Sequence, residues 1–216
     1  MLYLLAPFVY IGNIFGGNEA IIKIPLLLAD LGILYFLVKI FPHKKQKLIL
    51  FYFLNPIIIY SIYIHSQLDI IPTALLFGSV YFLLLDKIKI SSIFFGLALS
   101  TKFHVIIALP LVLFYLYKKQ KSIKVVEYIA ISFFILLLLD LPFLFSEGFL
   151  NMVLLNPKQT LLFDTFYSIG TLKILLPIAA ILMVYLHFFN QNKVNQDLLF
   201  FYFGLLFTAT VFFIYP

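Results

Sequence analysis

Two short stretches near the middle of the chain bring acid–base and anion-binding groups close together. His65-Ser66-Gln67-Leu68-Asp69 places an imidazole, an amide and a carboxylate within five positions, and Lys102 and His104 place an ammonium and a second imidazole two residues apart. A carboxylate, an amide and an imidazole facing an ammonium can hold a polar headgroup and an attached anionic phosphate at once. Lysine is a compact point charge suited to phosphate. Further carboxylates stand at Asp30, Asp140, Glu147 and Asp164. No phosphate-cradling glycine loop, His-Glu-x-x-His pattern or serine elbow occurs, and no spacing of His, Asp and Glu suggests a metal site. Cysteine is absent, which removes thiolate chemistry and disulfides and leaves the redox compartment unread.

The elements that must carry these groups are apolar. Hydrophobic residues make up 64% of the 216-residue chain and charged ones 11%, and the mean hydropathy is +1.11. Soluble domains hold about 45–50% apolar and about 25% charged residues. Leu48 to Leu68, Ile70 to Leu85, Ile174 to Asn192 and Leu198 to Pro216 are uncharged or nearly so, each close to the roughly 17–25 residues that carry a helix through a bilayer. Runs such as Ile135 to Leu139 are apolar on every side, unlike the alternation of a membrane β-barrel. The expectation is an all-α, polytopic transmembrane helix bundle forming a single domain over 1–216, with no linker or soluble domain. The net charge of +6 comes from lysine alone among the basic residues and gathers in short inter-helical turns, so it reads as topology and not as nucleic-acid binding. The richness in Lys, Phe, Ile and Tyr fits an AT-rich microbial genome, and hence a microbial cytoplasmic membrane.

His43–Lys47, Lys87–Lys89 and Lys118–Lys124 are the lysine-bearing turns, and the positive-inside rule puts all three in the cytoplasm. Ala20–Phe41, Leu48–His65, Ile70–Leu85, Val125–Ser146, Tyr167–Phe189 and Leu198–Tyr215 then cross. Ser92–Tyr117 begins and ends inside, yet its 26 residues are too few for two crossings. A re-entrant or short-helix hairpin resolves the parity, with Ser92–Ser100 rising about 14 Å, Val105–Tyr117 returning about 20 Å, and Thr101–His104 at the tip. The alternative puts Lys87 and Lys89 outside and makes Ser92–Tyr117 one tilted helix. A lysine at membrane depth costs about 2.5–3.5 kcal/mol on insertion scales, so Lys102 implies a water-filled cavity open to the outer face.

On this topology His65, Gln67, Asp69, Lys102, His104 and Asp164 gather on the outer side, as do Glu19, Asp140, Glu147, Asn151, Lys158 and Gln159. Lys102 and His104 are candidates to hold a phosphate, with an ion pair inside the bundle as the structural alternative. His65, Gln67 and Asp69 are candidates to line a headgroup site, with an ordinary polar turn as theirs. Asp30, near the centre of its span, must be paired or protonated, and Lys23 shares its face two turns earlier.

Three ordered motifs carry a family resemblance. AIIKIPLLLADL (Ala20–Leu31) is similar to a basic-x-Pro-x-Leu-Leu-x-Asp span. Leu54-Asn55-Pro56 followed by Ser66-Gln67-Leu68-Asp69 resembles an Asn-Pro, then Gly-Gln-x-Asp, pattern. GLALSTK (Gly96–Lys102) with Leu109-Pro110 resembles a short helix ending in Lys and a returning helix with Pro. Together they resemble the GT-C superfamily of polytopic glycosyltransferases over roughly residues 1–117, and within it the mannosyltransferases that act on lipid-linked and GPI-type acceptors. The resemblance implies transfer of a sugar from a polyprenyl-phosphate donor, with no separate cofactor, to a glycan, lipid or protein acceptor on the outer face. Lys102 and His104 would hold the donor phosphate; His65, Gln67 and Asp69 would line the sugar or acceptor pocket. The family's catalytic carboxylate usually lies in a loop upstream of Leu4-Leu5-Ala6-Pro7, and the family usually continues past Tyr215-Pro216. The chain therefore reads as an inactive fragment or a shortened relative, with Asp69 and Asp164 as substitute bases. Ser66 also stands where the pattern has Gly. The rival readings are a transporter or flippase whose path uses Asp30 and Lys102, and a non-enzymatic subunit of a membrane complex.

Overall fold

The computed structural model describes residues 2–119, 121–151, 155, 165–169 and 172–214, and these are almost wholly helical, as the apolar runs predict. In chain order the helices are α1 (Leu2–Phe15), α2 (Asn18–Ile40), α3 (Lys45–Leu48), α4 (Pro56–Ile59), α5 (Ile70–Leu84), α6 (Ile88–Thr101), α7 (Leu109–Lys118), α8 (Ser122–Asp140) and α9 (Glu147–Phe149). A two-stranded piece, β1 (Phe166–Ile169) and β2 (Leu172–Leu175), precedes α10 (Leu176–Phe189) and α11 (Gln196–Ile214). Among the described residues two helices are long and apolar enough to cross a membrane, Ala20–Ile40 and Ser122–Phe143. The bent pair Pro42–Phe53 and Pro56–Ile64 makes a third if it counts as one span, and the other apolar helices hold 10–17 residues.

Three stretches depart from the expected spans. Leu48–His65 is broken by 53° at Leu54-Asn55. Pro56 lacks the N–H that would continue the helix, and Asn55 is extended (φ −70°, ψ 121°), as a residue before proline prefers. The Asn55 side chain caps the restart, its Oδ1 accepting from Ile57 N at 2.9 Å. On each side of the break the helix widens to a π turn, with Leu54 N–H bonded to Ile49 O and His65 N–H to Tyr60 O, each at 2.9 Å. The second departure is Tyr167–Phe189, whose first residues pair as antiparallel strands with Phe166 opposite Leu175, so that only Leu176–Phe189 is helical. The segment 169–174 is rich in β-branched residues around a glycine, and Pro177 starts the helix where its missing N–H costs nothing. Hydropathy alone does not separate that pattern from a helix. Third, α6 starts at Ile88, against the expected Ser92, and runs 14 residues.

The chain divides into two compact units, Met1–Val105 with Glu127–Leu139, and Ile106–Val126 with Asp140–Pro216. In the first, α2 packs on α1 and α5, and α5 on α6. Buried hydroxyls stitch α5, α6 and α8 together. Ser79 Oγ lies 2.8 Å from Tyr128 Oη and 3.2 Å from Ser91 Oγ, Ser91 Oγ donates to Ser79 O at 2.7 Å, and Ser132 Oγ donates to Ser92 O at 3.1 Å. Such hydroxyls, with small residues that admit close approach, hold helices together where lipid removes the hydrophobic drive. Gly96 is that small residue: a Cβ there would lie 2.6 Å from Ser132 O and 2.8 Å from Ile135 Cβ. Phe36, Tyr81, Phe82 and Phe94 fill the other side of α5 with tilted and edge-on ring contacts.

The second unit is built on α7, α10 and α11. Tyr185 Oη donates to Ile107 O at 2.5 Å, and Phe114 stacks on Phe189. Lys118 Nζ donates to Gln191 O at 2.8 Å, Gln191 Nε2 donates to Tyr202 Oη, and His187 Nδ1 lies 2.5 Å from the same Tyr202 Oη.

Candidate functional site

The polar pentapeptide forms the turn between the bent segment and α5. Ser66 adopts φ +55°, and Gln67 N–H reaches back to Ser61 O at 3.0 Å, which reverses the chain in few residues. A positive φ is the conformation that glycine adopts most readily, so Ser66 holds a backbone geometry unusual for a residue with a side chain. Asp69 then heads α5, its carbonyl accepting from Thr73 Oγ1 at 2.7 Å. Lys102 closes α6 as its C-cap, extended at φ −154° and ψ 110°, with its N–H on Ala98 O. A 3₁₀ turn, Phe103–Ala108, follows and carries His104.

These two ends meet within the first unit. Lys102 Nζ is ion-paired with an Asp69 carboxylate oxygen, and the two side chains are 34% and 51% exposed. A pair so open to water is held by about 0–1 kcal/mol, little enough for an incoming anion to displace. Asp69 and Gln67 also line a cleft of about 200 Å³ between α2, the bent segment and α5, together with Ile33, Tyr52, Ser61 and Thr73. Its walls are mostly apolar, four isoleucines with Phe77 and the Tyr52 ring, and they carry hydroxyls, an amide and a carboxylate, a mixture suited to a small polar ligand.

The structure thus joins Lys102 to Asp69 by an ion pair and sets Asp69 and Gln67 on one cleft, whose lining does not include Lys102. His104 is exposed two residues past Lys102, and His65 is exposed at the end of the second π turn; neither is among the lining residues of the cleft. Asp164 lies outside the described residues. Among the described residues no three His, Asp or Glu side chains are placed to share a metal ion. Glu127 lies 3.8 Å from Lys89, across from α8 to α6.

Sequence reasoning missed the partners of Asp30. This carboxylate is 1% exposed, and it accepts from Tyr52 Oη at 2.7 Å and Tyr63 Oη at 2.6 Å, while Lys23 does not pair with it. A signal existed: Tyr52 and Tyr63 stand eleven residues apart, about three helical turns, so both fall on one face of their segment. Two phenols on one face of an apolar span call for an acceptor on a neighbour, and Asp30 sits at mid-depth of the preceding span.

Residues 26–154, more than half of the chain, match the sequence model of a family described as ALG3 protein. The matched segment contains Asp30, the bent segment, the cleft, Asp69, Lys102 and His104; Asp164 lies beyond it. No match is found among curated proteins or among solved structures.

Proposed function

The chain belongs to the ALG3 protein family, and from that premise we propose that it transfers mannose from a polyprenyl-phosphate donor of the dolichyl type to an acceptor hydroxyl at the outer face of a membrane. Membership carries the class, a mannosyltransferase-like membrane glycosyltransferase. The multi-pass arrangement rests on the apolar helices, and the placing of each substrate rests on one observation. A water-exposed Asp69–Lys102 ion pair stands where Asp69 borders a cleft of about 200 Å³, inside the segment that matches the family's sequence model.

In this reading Lys102, with His104 beside it, holds the donor phosphate. Gln67 and Asp69 orient the sugar or the acceptor, and His65 stands at the rim. Transfer breaks the bond between mannose C1 and the phosphate oxygen and forms one from C1 to the acceptor oxygen, and the acceptor proton passes to a base. Polyprenyl phosphate departs with the bonding electrons, so its side needs mainly charge neutralisation, which an ammonium supplies. When Lys102 turns to the phosphate, Asp69 loses its partner and becomes the carboxylate free to accept a proton. A positioned base contributes about 10²- to 10⁴-fold. Asp69 is the base assigned within the described residues, and Asp164 is the reserve candidate.

The test is binding and transfer with polyprenyl-phosphate mannose in reconstituted membranes. Lys102→Ala should weaken donor binding about 10- to 150-fold, the loss of a charge-assisted contact of about 1.5–3 kcal/mol. Lys119→Ala, an exposed lysine over the Tyr115 ring, should leave it within about twofold. Equal effects from the two would remove Lys102 from the donor site.

A further inference from the structure

Asp30 is buried midway along α2, where an ionised carboxylate is costly unless every oxygen is occupied. Each of its oxygens is. Tyr52 donates to Oδ1 and Tyr63 to Oδ2, and these two tyrosines lie on opposite sides of the 53° break at Asn55-Pro56. One carboxylate on the 23-residue α2 therefore holds both halves of a broken helix. At the break Pro56 has no N–H to continue the helical ladder, and the flanking π turns shift the neighbouring bonds to i→i+5, so no run of regular helical bonds crosses from one half to the other.

The cleft inherits that angle. Tyr52 belongs to its wall from the first half, Ile58, Ser61 and Ile62 from the second, and Ile33, three residues past Asp30, from α2. Gln67 is tied to the second half through its N–H on Ser61 O. Changing the bend moves Tyr52 and Ser61 relative to each other and carries Gln67 with Ser61.

We propose that Asp30 is a positioning residue whose two tyrosine bonds set the bend of residues 49–64 and, through it, the placement of Tyr52, Ser61 and Gln67 around the cleft. The inference rests on the reading of that cleft as the sugar site, and its test separates the two. The chain is free of cysteine, so spin labels can be placed at will. One labelled pair joins α2 to the first half (Leu28→Cys with Leu50→Cys), the other joins α2 to the second (Leu28→Cys with Tyr60→Cys); all three side chains are exposed.

Distances are measured by pulsed electron resonance in liposomes, and donor binding with polyprenyl-phosphate mannose in the same membranes. Tyr52→Phe should broaden only the first distance distribution and Tyr63→Phe only the second, since each frees one half and preserves side-chain volume. Asp30→Leu should broaden both and weaken donor binding by at least about tenfold, a modest figure for groups displaced by an ångström or so. Lys102→Ala should weaken binding while leaving both distributions as in the parent. Distributions unchanged in Asp30→Leu, or broadened alike by the two tyrosine variants, would overturn the positioning role. Unchanged binding in Lys102→Ala would instead overturn the donor-site reading, with the distances still deciding the role of Asp30.

Discussion

Neutralising Asp69 should tighten donor binding while it stops transfer. In the unliganded protein Lys102 is engaged by the Asp69 carboxylate, so a donor phosphate must compete for the ammonium. With side chains 34% and 51% exposed, the pair belongs among water-accessible ion pairs, which contribute about 0.2–1 kcal/mol. Asp69→Asn removes that competition and the repulsion between carboxylate and phosphate, and it keeps the side chain's shape at the cleft. The expected gain is therefore about 1.4- to 5-fold in affinity, from the same 0.2–1 kcal/mol. Equilibrium binding of radiolabelled polyprenyl-phosphate mannose to nanodisc-embedded protein measures it, at low and at high salt. The gain should shrink as salt rises, because the competing pair is itself screened. In a transfer assay the same variant should lose about 10²- to 10⁴-fold in rate, the contribution of a positioned base. Binding weakened as much as in Lys102→Ala would refute the exchange, since Asp69 would then be holding the donor and not competing for it. Tighter binding with transfer intact would keep the exchange and move the base elsewhere.

Other consequences can be checked separately. Gly96→Ala should destabilise the protein by about 1–3 kcal/mol in detergent unfolding, because its Cβ meets a backbone carbonyl at 2.6 Å, whereas Gly32→Ala, with open space around it, should be neutral or stabilising. Ser66→Gly should be tolerated or gain up to about 1 kcal/mol by relieving a positive φ, and Ser66→Val should lose stability in the same assay. Thr101→Cys, introduced into this cysteine-free chain, should react with a membrane-impermeant thiol reagent from the outer side; labelling only from the cytoplasmic side would remove the re-entrant topology.

The helices were legible because an apolar run of this length has few alternatives in a membrane, and α2, α5 and α11 fall close to their predicted bounds, whereas α8 ends at Asp140, six residues short of the expected Ser146. Gln67, Asp69 and Lys102 were legible for the complementary reason. Polar groups are so scarce in this composition that those present declare themselves, and charge bias alone placed the two turns on one side. The bend was half legible: Asn55-Pro56 marked a break, but the same dipeptide equally well opens a helix, and nothing local states an angle. Asp30 shows where the reading ran out. Its partners lie 22 and 33 residues away, and a tyrosine in an apolar span looks like any other aromatic until the neighbouring helix is in place. The strands at Phe166–Ile169 and Leu172–Leu175 escaped because hydropathy reports burial in an apolar phase, whatever the backbone conformation.

The π turns at Ile49–Phe53 and Tyr60–Ile64 bear on how this stretch can vary between relatives. A turn closed from i to i+5 accommodates one residue more than an α turn, so deleting a residue there restores an ordinary helix without breaking it. The extra residue is taken up within the turn, so the residues beyond it keep roughly the face they would hold after the deletion. Relatives one residue shorter at Ile49–Phe53 or Tyr60–Ile64 can therefore keep two phenols on the one carboxylate, and it is replacement of Asp30, Tyr52 or Tyr63 themselves that would mark a different way of seating this segment.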